Sequence, residues 1–285
     1  MIRFKSLSSG SCGNCYYLDI CSEEGQSEAA VIIDAGVSLR RLRQELVRDA
    51  LSADRVCAIL VTHDHMDHIR ALGSWCKHLK TPVWATGTLH RALAHNRLVV
   101  PWIHACRRVL AGDGWTEIVP GRIKVRPFVV PHDATQTVGY AVLLDAYKFV
   151  IMTDIGQMTA EALSYARHAD TVVVESNYDL YMLRHGPYPR ELQDRICGGH
   201  GHLSNEQCAQ ALREFVHPGL RNVFLCHLSE HNNTPELAYQ ASSEALKEAY
   251  GPAPEDVLFG NGLQDERPPR LCPLPRMTPS PMFVL

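Results

Sequence analysis

The chain has no long apolar stretch. Its longest uninterrupted hydrophobic run, residues 56–61, covers six positions, whereas a membrane-spanning helix needs about 18–20. No membrane association is expected. The opening residues, Met1 to Ser6, contain no apolar core followed by a small-residue cleavage site, so a cytoplasmic location is expected. An excess of positive charge is also missing. The 28 Lys and Arg stand against 31 Asp and Glu, a net charge of −3. That balance argues against a globally basic nucleic-acid binder and leaves room for a local basic patch. Repeats, heptads and an interdomain linker are absent too. The ten Cys are scattered, and only Cys12 and Cys15 form a Cys-x-x-Cys pair. No second pair completes a zinc site, and a reducing compartment does not favour disulfides.

What remains is ordinary globular material. Hydrophobic residues make up 46% and charged residues 21% of 285 positions, which excludes a disordered or fibrous chain. Short strands are predicted at residues 3–7, 15–20 and 30–34, with a Ser/Gly-rich turn at 8–14. Apolar residues at 39, 42, 46 and 47 predict a helix over 37–47. Residues 56–61 read as a buried strand that runs into a His-rich loop. Hairpins and strand–helix alternation continue to about residue 249. Ser204 with Gln207 predicts a capping box for a helix ending near Phe215. From Pro268 onward there are six Pro in 18 residues, which reads as an irregular or disordered tail. The mixture predicts one layered domain, sheets inside and helices outside.

The chemistry concentrates in His63-x-His65-x-Asp67-His68, directly after the buried strand. Alternate residues of a short extended turn point the same way, so His63 and His65 can share one ion while Asp67 and His68 face a neighbouring position. Imidazole and carboxylate ligands suit zinc, iron or manganese. His132, Asp154 and His227 share another property, since each closes an apolar strand. Strand ends on one rim can converge, and together with the loop they supply ligands for two metals.

These residues resemble the signature of the metallo-β-lactamase-fold hydrolases. Asp34, the His-rich loop, His132, Asp154 and His227 follow that family's order. The resemblance implies an α/β fold, a four-layer αβ/βα sandwich of two mixed sheets flanked by helices. It would occupy residues 1–262, leaving 263–285 as a Pro-rich C-terminal tail. It also implies two divalent metal ions, whether zinc, manganese or iron. One would be held by His63, His65 and His132, the other by Asp67, His68 and His227, with Asp154 bridging. Asp34 would orient a ligand histidine. Finer motifs are similar to the WalJ/YycJ-like branch: Ser8 to Asn14, Glu175 to Asp179, Gly186 to Asn205, and His227 to Asn233. That branch implies a phosphodiesterase or exonuclease, with DNA or RNA as the substrate partner and attack through a metal-bridging hydroxide. Asn14 and Ser204, within these motifs, are expected among the substrate contacts. The Pro-rich tail departs from the pattern.

The residues support the same choice. Glu175 ends a strand on the ligand rim, and His202 precedes a helix start that favours phosphate oxygens. Glu175 can hold His202 protonated for donation to a leaving alkoxide. Asp67, Glu175 and His202 are therefore expected to be catalytic. Between Glu175 and His202 runs a basic, aromatic segment, with Tyr188, Arg190 and Arg195 expected to contact phosphates and bases. Two other classes compete. One is a thioester or amide hydrolase on the same fold. The other is a non-enzymatic metal or redox sensor using Cys12 and Cys15.

Overall fold

A computed structural model describes residues 1–250 and 268–285. The chain opens with a hairpin, β1 (Ile2–Gly10) against β2 (Gly13–Cys21), and adds β3 (Ser27–Ile33) antiparallel to β2. The Ser/Gly-rich stretch expected to be a loop is mostly strand. Ser9 pairs with Asn14 and Gly10 with Gly13, which leaves Ser11 and Cys12 as the turn. The small polar side chains are satisfied internally: the Ser9 hydroxyl lies 2.9 Å from the Tyr16 hydroxyl, and Gly10 N–H donates to Asn14 Oδ1 at 2.9 Å. Composition alone reads such residues as turn formers.

Next come α1 (Leu39–Arg48), β4 (Val56–Leu60), α2 (Met66–Ile69), α3 (Leu72–Leu79), β5 (Val83–Ala85), α4 (Gly87–Leu93), α5 (Val100–Cys106) and β6 (Arg107–Val109). Ser38 caps α1 by accepting from Arg41 N–H, and Thr86 caps α4 by accepting from Leu89 N–H. Strands β4, β5 and β6 run parallel to β3. The second half begins with β7 (Thr116–Val119), β8 (Ile123–Val130), β9 (Thr137–Leu144) and β10 (Tyr147–Met152), an antiparallel meander. It continues through α6 (Ala160–Ala166), β11 (Thr171–Glu175), α7 (Leu180–His185), α8 (Arg190–Cys197), α9 (Asn205–Phe215), β12 (Asn222–Cys226) and α10 (Pro235–Tyr250).

The expected irregular tail instead forms two strands. β13 (Arg270–Pro273) runs parallel to β12, and β14 (Phe283–Val284) runs antiparallel to β1. Both lie at sheet edges, where Pro costs no ladder bond, and both are too short to show a period. The division expected at 262/263 lies outside the described residues.

Two mixed seven-stranded sheets result, ordered β14-β1-β2-β3-β4-β5-β6 and β13-β12-β11-β10-β9-β8-β7. Their inner faces meet through Phe4, whose ring centroid is 5.3 Å from Phe149 and 4.9 Å from Phe224. Leu42, Trp75, Leu89 and Ile103 from α1, α3, α4 and α5 join the core around the first sheet. Ala162, Leu212 and Leu246 from α6, α9 and α10 cover the outer face of the second. The expected four-layer αβ/βα sandwich is therefore observed. No helix among the described residues is long and apolar enough to cross a membrane.

Candidate metal centre

The parallel strands of each sheet end on one rim, and the residues just past those ends bend into it. Asp34 follows β3, Asp154 lies two residues past β10, and His227 follows β12. All three take left-handed backbone, with φ of 64°, 53° and 53°. Such a conformation costs a non-glycine residue about 1–2 kcal/mol, with Asp, Asn and His its commonest non-glycine occupants. Strain of this kind gathers where a site requires a particular side-chain direction.

His63, His65 and His132 offer ligand atoms within 4.8 Å of one another, and so do Asp67, His68 and His227. Asp154 lies between the groups: its Oδ2 is 3.2 Å from His68 Nε2, and its Oδ1 is 3.7 Å from His132 Nε2. Ring orientation is set by the nitrogen that faces away. His68 Nδ1 donates to Asp34 Oδ2 at 2.7 Å, His132 Nδ1 to the Gly201 carbonyl at 2.8 Å, and His227 Nδ1 to Glu175 Oε1 at 2.7 Å. Asp34 is in turn held by the N–H and hydroxyl of Thr62. Each ring thus keeps Nε2 as its potential ligand atom.

His63 Nε2 and His227 Nε2 are buried without a hydrogen-bond partner among the described residues. Buried nitrogens of this kind are rarely left unpaired, and a divalent cation would satisfy them. The protonation tendencies agree. Burial, with His68 beside it, pushes His63 well below the usual imidazole range. Burial opposes ionisation of Asp154, yet His227 and His68 hold it well below the usual carboxylate range. Burial likewise opposes charge on His68, but Asp154 and Asp34 lift it to about 10. Crowded carboxylates here hold protons on imidazoles that a metal would replace. The donor set suits divalent metal ions.

A cavity of about 260 Å³ opens over the cluster, with His65, Asp67, His132, Asp154, His202 and His227 at its base. Tyr188, Leu192, Arg195 and Ile196, on and just before α8, form a wall. His202 Nδ1 donates to Glu175 Oε1 at 2.8 Å, and the ring stays partly exposed to the cavity. Glu175 also accepts from Ile155 N–H and Leu203 N–H. Burial opposes its ionisation, but His202 and His227 keep its carboxyl below the usual range. Glycine is required at 201, because a Cβ there would meet the Ile196 carbonyl.

Several expected contacts sit elsewhere. Asn14 is fully buried and cannot meet a substrate. Its amide donates to Asp67 Oδ2 at 3.2 Å and lies 2.8 Å from His68 Nε2, so it supports the loop from behind. Ser204 spends its hydroxyl accepting from Gln207 N–H in the expected capping box of α9, and it lies outside the cavity. Glu175 is wholly buried outside the cavity lining, so it positions the two histidines rather than touching substrate. Arg190 is exposed but does not line the cavity. Tyr188 and Arg195 do line it, and Arg195 is ion-paired to Asp133. Cys12 sits exposed at the hairpin turn, while Cys15 is buried in the core with its thiol pushed up chiefly by burial. Sequence reading missed Asp133, 3.3 Å from His132 Nε2. It also missed Asn177, whose amide donates to the His227 carbonyl at 2.7 Å. Asp133 adjoins His132 and Asn177 lies inside the Glu175–Asp179 motif, and neither position carried a signal of its own.

The sequence pattern of the beta-lactamase superfamily domain matches residues 30–227. Exodeoxyribonuclease YycJ of Bacillus anthracis is 32% identical over 87% of this chain and 90% of its own length. Exodeoxyribonuclease WalJ of Streptococcus pneumoniae is 30% identical over 87% and 89%. Among solved structures, the metallo-beta-lactamase fold protein YhfI of Bacillus subtilis superposes with a TM-score of 0.60 at 12% identity, covering 86% of this chain and 92% of its own.

Proposed function

Because the chain belongs to the beta-lactamase superfamily, in the WalJ/YycJ branch of the metallo-β-lactamase fold, we propose that it is a metal-dependent phosphodiesterase, an exonuclease-like enzyme acting on DNA. The relatives' names supply the substrate class. The observation that carries the chemistry is the buried Glu175 carboxylate holding His202 at the edge of the metal cluster. Two divalent ions, zinc, manganese or iron, fit the two ligand groups, with Asp154 reaching both. When bound, such ions would polarise the phosphodiester and lower the pKa of a water toward neutral pH.

The protein's own residues do the rest. Thr62 fixes Asp34, Asp34 fixes His68, and Glu175 fixes both His227 and His202. Burial opposes charge on His202, but Glu175 raises its affinity for a proton. With Nδ1 committed to Glu175, Nε2 is the atom that donates to the departing sugar oxygen. General acid help of this kind is worth about 10²–10⁴-fold. A thiolate leaves readily without protonation, so the pair favours phosphate esters over thioesters. Tyr188 offers a stacking face at the cavity mouth, and Arg195 offers a phosphate contact when it exchanges from Asp133.

His202→Ala is expected to retain metal, to lose turnover on end-labelled DNA by that factor, and to lose much less on bis-p-nitrophenyl phosphate, whose leaving group needs little protonation. Equal losses on both substrates would remove the leaving-group acid from the mechanism.

A further inference from the structure

Charge is unevenly divided along this chain. Residues 68–112 contain seven of the 28 Lys and Arg and no Asp or Glu. The other 240 residues carry 21 basic against 31 acidic groups. A molecule of net charge −3 is therefore a segment of +7 joined to a remainder of −10.

That segment folds as one lobe on the outer side and free edge of the first sheet, formed by α3, α4, α5 and edge strand β6. Lys77 of α3 lies 4.8 Å over the Trp102 ring of α5, and His90 of α4 bonds to the Arg108 carbonyl of β6 at 2.7 Å. All seven cations, Arg70, Lys77, Lys80, Arg91, Arg97, Arg107 and Arg108, are exposed. None has an acidic partner among the described residues. Elsewhere on the surface Arg122, Arg167, Arg184, Arg195, Arg213 and Arg221 are ion-paired, and exposed cations without an acidic partner, such as Arg40, Arg55, Lys148 and Arg190, are interspersed with acidic residues along the chain rather than grouped.

The α7–α8 segment is different. Residues 178–197 hold three Arg and three acidic residues, and Arg184 and Arg195 are already bound to Asp194 and Asp133. Cations paired within the protein gain little from a phosphate, whereas unpaired ones release counterions from nucleic acid when they bind it. The unpaired lobe also begins where the metal-binding loop ends. Asn96 Nδ2 reaches Met66 Sδ at 3.8 Å, between His65 and Asp67. A hollow of about 280 Å³ lined by Thr88, Arg91 and Gln136 continues the surface, and Gln136 lies three residues beyond Asp133 of the cavity.

We infer that this α3–β6 lobe binds the phosphate backbone of the nucleic-acid substrate beyond the end being cleaved. This rests on the nuclease reading proposed above. A charged edge strand can also serve to prevent edge-to-edge pairing. That accounts for Arg107 and Arg108 but not for Lys77, Arg91 and Arg97, which lie on helices and a loop.

The test is an Arg91→Gln, Arg97→Gln, Arg107→Gln triple variant of the full chain, titrated with a short and a long fluorescein-labelled DNA across a salt series by anisotropy. For the long DNA the slope of log K against log salt should fall by about 2–3, at about 0.9 for each phosphate left without its cation. The short DNA should change little, and turnover of bis-p-nitrophenyl phosphate should be unchanged. Wild-type affinity and slope in the variant would overturn the inference. So would self-association of a variant that binds DNA normally, which would assign the arginines to edge protection. If wild-type protein binds long DNA as expected but cleaves neither DNA nor the small diester, the nuclease reading fails and the binding surface stands.

Discussion

Asp154 is the residue that approaches both proposed ligand groups. It lies within 3.2 Å of His68 Nε2 and 3.7 Å of His132 Nε2, in a backbone conformation that costs energy to hold. Asp154→Ala is expected to lose bound metal and hydrolysis together, by elemental analysis and turnover. A variant that keeps two metals and normal activity would contradict its shared role. Glu175 differs, because it serves one proposed metal ligand and one proposed acid. Glu175→Gln should weaken metal binding by about 10–100-fold, as removal of a carboxylate behind a ligand histidine commonly does. It should also lower turnover at saturating metal, a combination that His202→Ala should not show. Titration gives an independent readout. His68 is raised from the ordinary imidazole range to about 10 by Asp154 and Asp34, against the cost of burial. A raised histidine adds stability fully below its unfolded pKa of about 6.5 and loses it as pH climbs through the folded value. Metal-free protein should therefore lose thermal stability between about pH 6.5 and 10, by melting curves in chelator. Metal binding in that window should release protons, seen as a buffer-dependent enthalpy.

At the level of elements, the site is assembled from loops that leave strands on one rim. That is why so much of it was legible. His63, His65, Asp67 and His68 follow an unmistakable buried strand, and His132, Asp154 and His227 each close one. What stayed hidden depends on contacts between distant segments. Nothing local to Asn14 shows that it lies beneath Asp67, and nothing local to Glu175 shows that, besides the expected His202, it also holds His227. Ser204 was legible as a cap, and that same geometry takes its hydroxyl away from a ligand. The packing beneath the loop makes one prediction specific. Gly36 N–H donates to the Asn14 carbonyl at 2.9 Å, and a Cβ at 36 would run into the Asp67 carbonyl of α2. Gly36→Ala should displace α2 and lower metal affinity although no ligand is changed. Metal titration against the unaltered far-UV spectrum would separate this from unfolding.

For the molecule as a whole, the informative error is the tail. Six Pro among the last 18 residues hide two strands, because edge strands of four and two residues need neither an apolar period nor a full set of donors. Phe283 packs with its ring centroid 4.7 Å from Phe224 and 6.3 Å from Phe4, bridging the two sheets. Phe283→Ala should cost about 1–3 kcal/mol, less than the 3–5 of a fully buried ring, as a lower urea midpoint with an unchanged slope. An unchanged midpoint would mean that β14 is only draped on the surface.

The position of these strands also gives the chain an order of events. β14 pairs with β1, so the final residues lie beside the first ones, and β13 finishes the other sheet. On a ribosome, β13 and β14 can join their sheets only after residues 270–284 have emerged, while β1 waits with an open flank. The segment that looks most dispensable on the page is the one that closes the molecule in time.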